Sequence, residues 1–151
     1  MEEKYLMSNG VSIRVAADVG QLAAMRAFVE QQASALGADE AAIYDLVLAV
    51  NEVATNIVVH GYRGQPGAIE LELRQLGDGI EIRLRDHAPL FDPTREPTPD
   101  LTLPLARRRL GGMGIYVTRQ IMDTMRYRAT PEGDNELTLV KRAIVADSRK
   151  E

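Results

Sequence analysis

Three polar residues stand four apart in the chain: Glu52, Asn56 and His60. At that spacing they climb one stripe of an α-helix. A carboxylate one turn before a carboxamide is a working pair. The first can accept a proton, and the second offers a neutral oxygen to a hard cation such as Mg²⁺, which takes oxygen ligands and keeps several waters. The two could equally do no more than solvate a helix. Glycines at 111, 112 and 114 stand directly before an apolar-periodic stretch. Such an entry exposes backbone N–H groups and the positive end of the dipole, which suits phosphate; flexible helix entry is the plainer reading. Asp86 ends an alternating stretch, where its carboxylate can accept a hydrogen bond from an exocyclic amine or simply cap a turn. Arg107, Arg108 and Arg109 precede the glycines. Arginines suit a γ-phosphate or an acidic partner surface, and a charge run can also be just a solvated face.

Such residues work only if regular elements hold them. Residues 11–16 alternate and predict a strand. A helix is predicted over 19–36, with Asp18 as N-cap, Gly37 just past its end, and Leu22, Met25, Val29 and Leu36 on its apolar face. The long helix at 39–60 carries Leu46, Val50, Val53 and Ile57 as an apolar stripe and stops at Gly61. Glu52 and Asn56 then sit at the margin of the buried face, where a cleft can open. Residues 63–67 read as a turn. The stretches 68–76 and 80–86 read as a hairpin around Gly77-Asp-Gly79. Residues 87–112 carry five prolines and no sustained periodicity, the mark of a functional lid or a disordered loop. A short helix at about 113–124, strands at about 124–131 and 135–144, and a frayed tail at 146–151 complete the order. Helices segregated from a largely antiparallel sheet predict an α+β sandwich.

Composition narrows the chemistry. The 151 residues suggest one domain with room for a core. A net charge of −4 argues against a nucleic-acid surface. The chain has no cysteine, so disulfides, thiolate zinc sites and cysteine nucleophiles are excluded. His60 and His87 are its two histidines, which excludes a His-rich metal site. No Gly-x-x-x-x-Gly-Lys-Ser/Thr occurs, so a P-loop is out. No signal peptide is seen and no run approaches a membrane span, which makes the cytoplasm the expected location, with no membrane partner.

The order and spacing of these signals are more telling than any one of them. Glu52-x-x-x-Asn56 on a helix, Asp86 ending the hairpin, a long lid, then Gly112-x-Gly114 before a helix resembles the GHKL ATPase superfamily. The stretch from Ala49 to Tyr62, Phe91-Asp-Pro93, Gly111 to Ile115 and Leu137 to Lys141 looks like the small anti-sigma factor serine kinases of bacteria. The resemblance covers about 11–143. It implies a two-layer α/β sandwich of the Bergerat type, a mixed, mostly antiparallel sheet with helices on one face, forming one histidine-kinase-like ATPase domain. It implies ATP and Mg²⁺, with Asn56 on the metal, Glu52 as general base and Asp86 on the adenine amine. Gly112 and Gly114 would hold phosphate, Thr138 would line the adenine pocket, and Arg109 would stand near the nucleotide. The lid, 87–112, would order over ATP. The implied partners are a sigma factor, held silent, and a STAS-type anti-anti-sigma protein phosphorylated on serine; a homodimer is implied as well. A module that binds partners without transferring phosphate is the alternative. A sensor histidine kinase fragment is discounted, since no histidine precedes the long helix. The family usually has Asp-x-Gly-x-Gly where this chain has Asp86-His-Ala-Pro-Leu90, which trades glycine freedom for a methyl and a fixed proline φ.

Overall fold

The computed structural model describes residues 10–98, 100–102 and 112–147. Among the described residues five strands form one sheet: β1 (Val11–Ala16), β2 (Ala68–Leu76), β3 (Gly79–Asp86), β4 (Thr124–Ala129) and β5 (Asn135–Lys141), in the order β1-β2-β3-β5-β4. All four ladders are antiparallel. The helices are α1 (Leu22–Ala35), α2 (Glu40–Asn56) and α3 (Gly112–Ile121). They lie on one face of the sheet, giving the expected two-layer α+β sandwich. Gly111, Arg107, Arg108 and Arg109, with the 103–111 part of the lid and the end of the tail at 148–151, lie outside the described residues.

Local chemistry sets the boundaries. Asp18 accepts from the Gly20 N–H at 3.1 Å and opens a 3₁₀ turn, Val19–Gln21, that runs into α1. At the far end Gly37 takes φ +92°, the Ala38 N–H reaches the Ala33 carbonyl and the Gly37 N–H the Ser34 carbonyl. This paired closure satisfies carbonyls that the helix leaves unbonded. Asp39 caps α2, accepting from the Ala42 N–H at 2.8 Å. The long helix does not stop at Gly61: after Asn56 it widens into a π-helical turn, Ile57–Tyr62, closed by Arg63 at φ 52°. Widened turns of this kind recur at functional sites. The helix Glu40–Tyr62 is, by length and composition, apolar enough to cross a membrane, which corrects the expectation that no run approaches a span. Its apolar side is buried against the sheet and α1, as Leu46, Ala49, Val50, Val53 and Ala54.

Strand parity divides the sheet. Ile69, Leu71 and Leu73 of β2, Ile80, Ile82 and Leu84 of β3, and Leu137 and Leu139 of β5 face the helices and are buried. Each such side chain contributes about 1.5–3 kcal/mol by leaving water. The intervening residues form a charged outer face. There Arg14, Glu70, Arg85, Glu136 and Arg128 are register partners in one row across all five strands. Glu136 pairs with both Arg85 and Arg128, the latter at 2.6 Å. Burial pushes the Glu136 carboxyl up, but the two guanidiniums outweigh it and hold the group below the ordinary value.

Candidate functional site

A cavity of about 490 Å³ opens between α2 and the end of β3. Asn56 and Val53 line it from α2, Ile57, His60 and Gly61 from the π-helical turn, and Asp86 from β3. Leu90, Phe91, Pro93 and Glu96 wall it on the loop side, and Tyr127, Asn135 and Leu137 close it from the outer strands. A buried carboxylate, Asp86, and two carboxamides, Asn56 and Asn135, set among largely apolar walls are the usual build of a small-molecule site.

Asp86 continues the inward parity of Ile82 and Leu84, so its side chain is only 4% exposed. The Ala88 N–H and the Asn135 Nδ2 both donate to its Oδ1, each at 2.9 Å. The other oxygen, Oδ2, takes part in neither bond. Burial pushes this carboxyl above the ordinary aspartate value. The hydrogen bonds from Asn135 and Ala88 pull it partly back, His87 lowers it and Asp134 raises it. An acceptor so placed suits an amine that brings its own proton.

Asn135 is the residue that the sequence reading missed. It sits opposite Asp86 in the β3–β5 register. Besides Asp86, its amide donates to the carbonyls of Ala88 at 3.1 Å and Pro89 at 3.2 Å. Its carbonyl accepts from the Phe91 N–H at 3.0 Å and the Tyr127 hydroxyl at 2.6 Å. One side chain thus fastens the loop that follows Asp86. Ala88 is not among the positive-φ residues, so this turn is made without the glycine freedom usual in the family. Its methyl packs toward Gly61, where an added Cβ would meet it at 3.2 Å. Tyr62 supports the same corner, donating to the Ala68 carbonyl at 2.7 Å and accepting from the His87 N–H at 2.8 Å.

The other expected residues divide. Asn56 and Asp86 line one cavity, and His60, on the polar stripe, joins them. Gly112 begins α3, with Gly114 in its first turn. Glu52 is not a lining residue. It packs where α3 crosses α2, so closely that a Cβ on Gly114 would stand 2.8 Å from Glu52 Oε2. Thr138 pairs with Arg83 and Arg126 on the charged outer face. It cannot reach the cavity, since Leu137 and Leu139 hold the inward positions of β5. Arg109 lies outside the described residues.

The site suits an adenine nucleotide by its own chemistry: a buried acceptor among apolar walls, with the glycine-opened start of α3 outside the cavity lining. Among the described residues no cluster of three or more His, Cys, Asp or Glu side chains could hold a metal ion. Asn56 alone supplies one oxygen, so a bound Mg²⁺ would depend on phosphate oxygens and water, its usual preference.

A profile of the histidine kinase-like ATPase domain family matches residues 15–141. The chain is 35% identical over 99 residues to the serine-protein kinase RsbW of Listeria monocytogenes, covering 62% of this chain and 63% of that one. It is 27% identical over 117 residues to the serine-protein kinase RsbW of Bacillus cereus, covering 75% and 73%. The chain therefore spans a little under two thirds of the Listeria relative. A crystal structure of the RsbU and RsbW domains of a Mycobacterium tuberculosis protein matches with a TM-score of 0.59 over 88% of this chain and 32% of that one, at 18% identity, a likeness of fold. Because the matched profile takes in β2 to β5, all three helices and every lining residue of the cavity, the chain belongs to the histidine kinase-like ATPase domain family.

Proposed function

We propose that this chain is an ATP-dependent protein-serine kinase of the anti-sigma type, which holds a sigma factor and phosphorylates a serine on a STAS-type anti-anti-sigma partner. The observation that carries the reading is the pairing, in one cavity, of buried Asp86 with Asn56. The relatives named serine-protein kinases support it. In this reading the protein is cytoplasmic and works as a homodimer.

Phosphoryl transfer asks the protein mainly to position and to neutralise charge. Asp86 accepts the adenine amine through its uncommitted oxygen. Asn56 would offer its carbonyl oxygen to Mg²⁺, and the N–H groups at Gly112 and Gly114 would hold the phosphates. Bound magnesium supplies charge neutralisation on the transferring group. Glu52 takes the proton of the incoming serine hydroxyl.

The test is incubation with Mg-ATP and serine-bearing partners, followed by intact-mass detection of phosphate, beside single-turnover transfer by Glu52→Gln. Loss of the base should slow transfer by roughly 10²–10⁴-fold, while nucleotide affinity stays near wild type. Transfer at the wild-type rate would refute the role of Glu52. A second reading, a partner-switching module that holds nucleotide without transferring phosphate, is favoured by the packing of Glu52 against Gly114 away from the cavity lining. Tight partner binding with no phosphate transfer in wild type would select it.

A further inference from the structure

The wall of the cavity formed by Pro93 and Glu96 belongs to a short 3₁₀ turn, Pro93–Arg95. The turn is built locally: Asp92 accepts from the Thr94 N–H at 2.8 Å, and the Glu96 N–H reaches the Pro93 carbonyl at 3.2 Å. Its carbonyl end is gathered by one side chain from another element. Arg119, in the last turn of α3, donates through Nη1 to the Glu96 carbonyl at 3.3 Å. Its Nη2 donates to the carbonyls of Thr94 and, at 3.4 Å, Pro93. A guanidinium is a fixed planar fork that meets several oxygens at once, which a lysine ammonium on a flexible stem does not.

The same helix begins at Gly112 and presses Gly114 against Glu52. Arg119 lies five positions after Gly114, about 7.5 Å along the helix axis. One rigid rod therefore carries the phosphate-facing entry and the contact with the proposed base at one end, and the anchor of the cavity wall at the other.

We propose that Arg119 is a positioning residue that fixes the Pro93–Glu96 wall to α3, so that the wall and the helix entry move as one body. The inference rests on the nucleotide reading above. It assigns a role to a residue that touches neither base nor phosphate.

The experiment compares wild type, Arg119→Lys and Arg119→Met by residue-resolved amide exchange without nucleotide and by calorimetry with Mg-ATP. In Arg119→Met the Glu96 amide should exchange about ten- to a hundredfold faster, the factor set by losing hydrogen bonds to a charged donor. Amides of β3 and β5 should keep wild-type rates, and Mg-ATP affinity should fall about tenfold, with Arg119→Lys intermediate in both. An unchanged Glu96 amide overturns the proposal. So does faster exchange spread through the whole sheet with unchanged Mg-ATP affinity, the signature of a residue that only stabilises the fold. If Arg119→Met does not fold, the Lys variant carries the same comparison. If wild type fails to bind Mg-ATP at millimolar concentration, the nucleotide reading falls, and the exchange result alone decides whether Arg119 anchors the wall.

Discussion

Asp86 spends folding stability to keep an acceptor inside the cavity. Because burial raises its pKa, the native state binds more protons than the unfolded chain between the unfolded value and the raised native one. Stability from this group is therefore present at low pH and lost as pH climbs through that window. Asp86→Asn keeps an oxygen for the Ala88 N–H and the Asn135 amide but removes the charge. It should gain about 0.5–2 kcal/mol near neutral pH, read from urea unfolding. The gain should vanish below the carboxylate range, and Mg-ATP binding should be lost. Asn135→Leu should act the other way. It leaves the Phe91 N–H, the Tyr127 hydroxyl and two carbonyls without their partner, so stability should fall by about 1–3 kcal/mol and nucleotide binding should weaken with it. An unchanged urea midpoint would count against the fastening role. Asn56 and Asp86 were legible because helical spacing and a strand end announce themselves in sequence. Asn135 was not, because the hydroxyl at Thr138 drew the assignment. Yet the parity of β5 was readable: Leu137 and Leu139 point inward, so residue 135 does and residue 138 does not.

The crossing of α2 and α3 makes a prediction at the level of elements. An alanine at Gly114 would meet the flexible end of the Glu52 side chain rather than backbone. Gly114→Ala should therefore cost little stability, and it even removes a poor helix former. It should still reduce phosphate transfer strongly, since the displaced group is the proposed base. Loss of folding with the same substitution would show that the crossing itself cannot yield. Two element boundaries could be read from caps: Asp18 and Gly37 act where the sequence predicted, while Asp39, expected as the first helical residue, is the cap of α2. The π-helical turn could not be read. Over six residues, i→i+4 and i→i+5 bonding leave nearly the same apolar pattern, and Gly61 resembled a stop while the helix ran on to Tyr62.

Across the whole molecule, fold class was legible because two periodicities, 2 and 3.6, alternate cleanly along the chain. The strand order was not, because β3 pairs on its far side with β5 rather than with β4, the next strand in sequence, and such long-range pairing leaves no local trace. The charged face of the sheet has a consequence for how the chain reaches that order. A slip of one residue between β2 and β3 would expose the apolar set and is rejected by burial. A slip of two keeps every side chain on its own face, so the core cannot detect it. The charges can. In the native register Glu70, Glu72 and Arg74 lie opposite Arg85, Arg83 and Glu81. Sliding by two one way sets Arg74 against Arg83, and the other way sets Glu72 against Glu81, and like charges directly opposite are destabilising. The outer face thus works as an error check on strand alignment, complementary to the oily side. Glu72→Arg should lower the yield of native protein on dilution from denaturant, and adding Arg83→Glu should restore it. Equal yields for all three proteins would mean that the hairpin turn alone keeps the count.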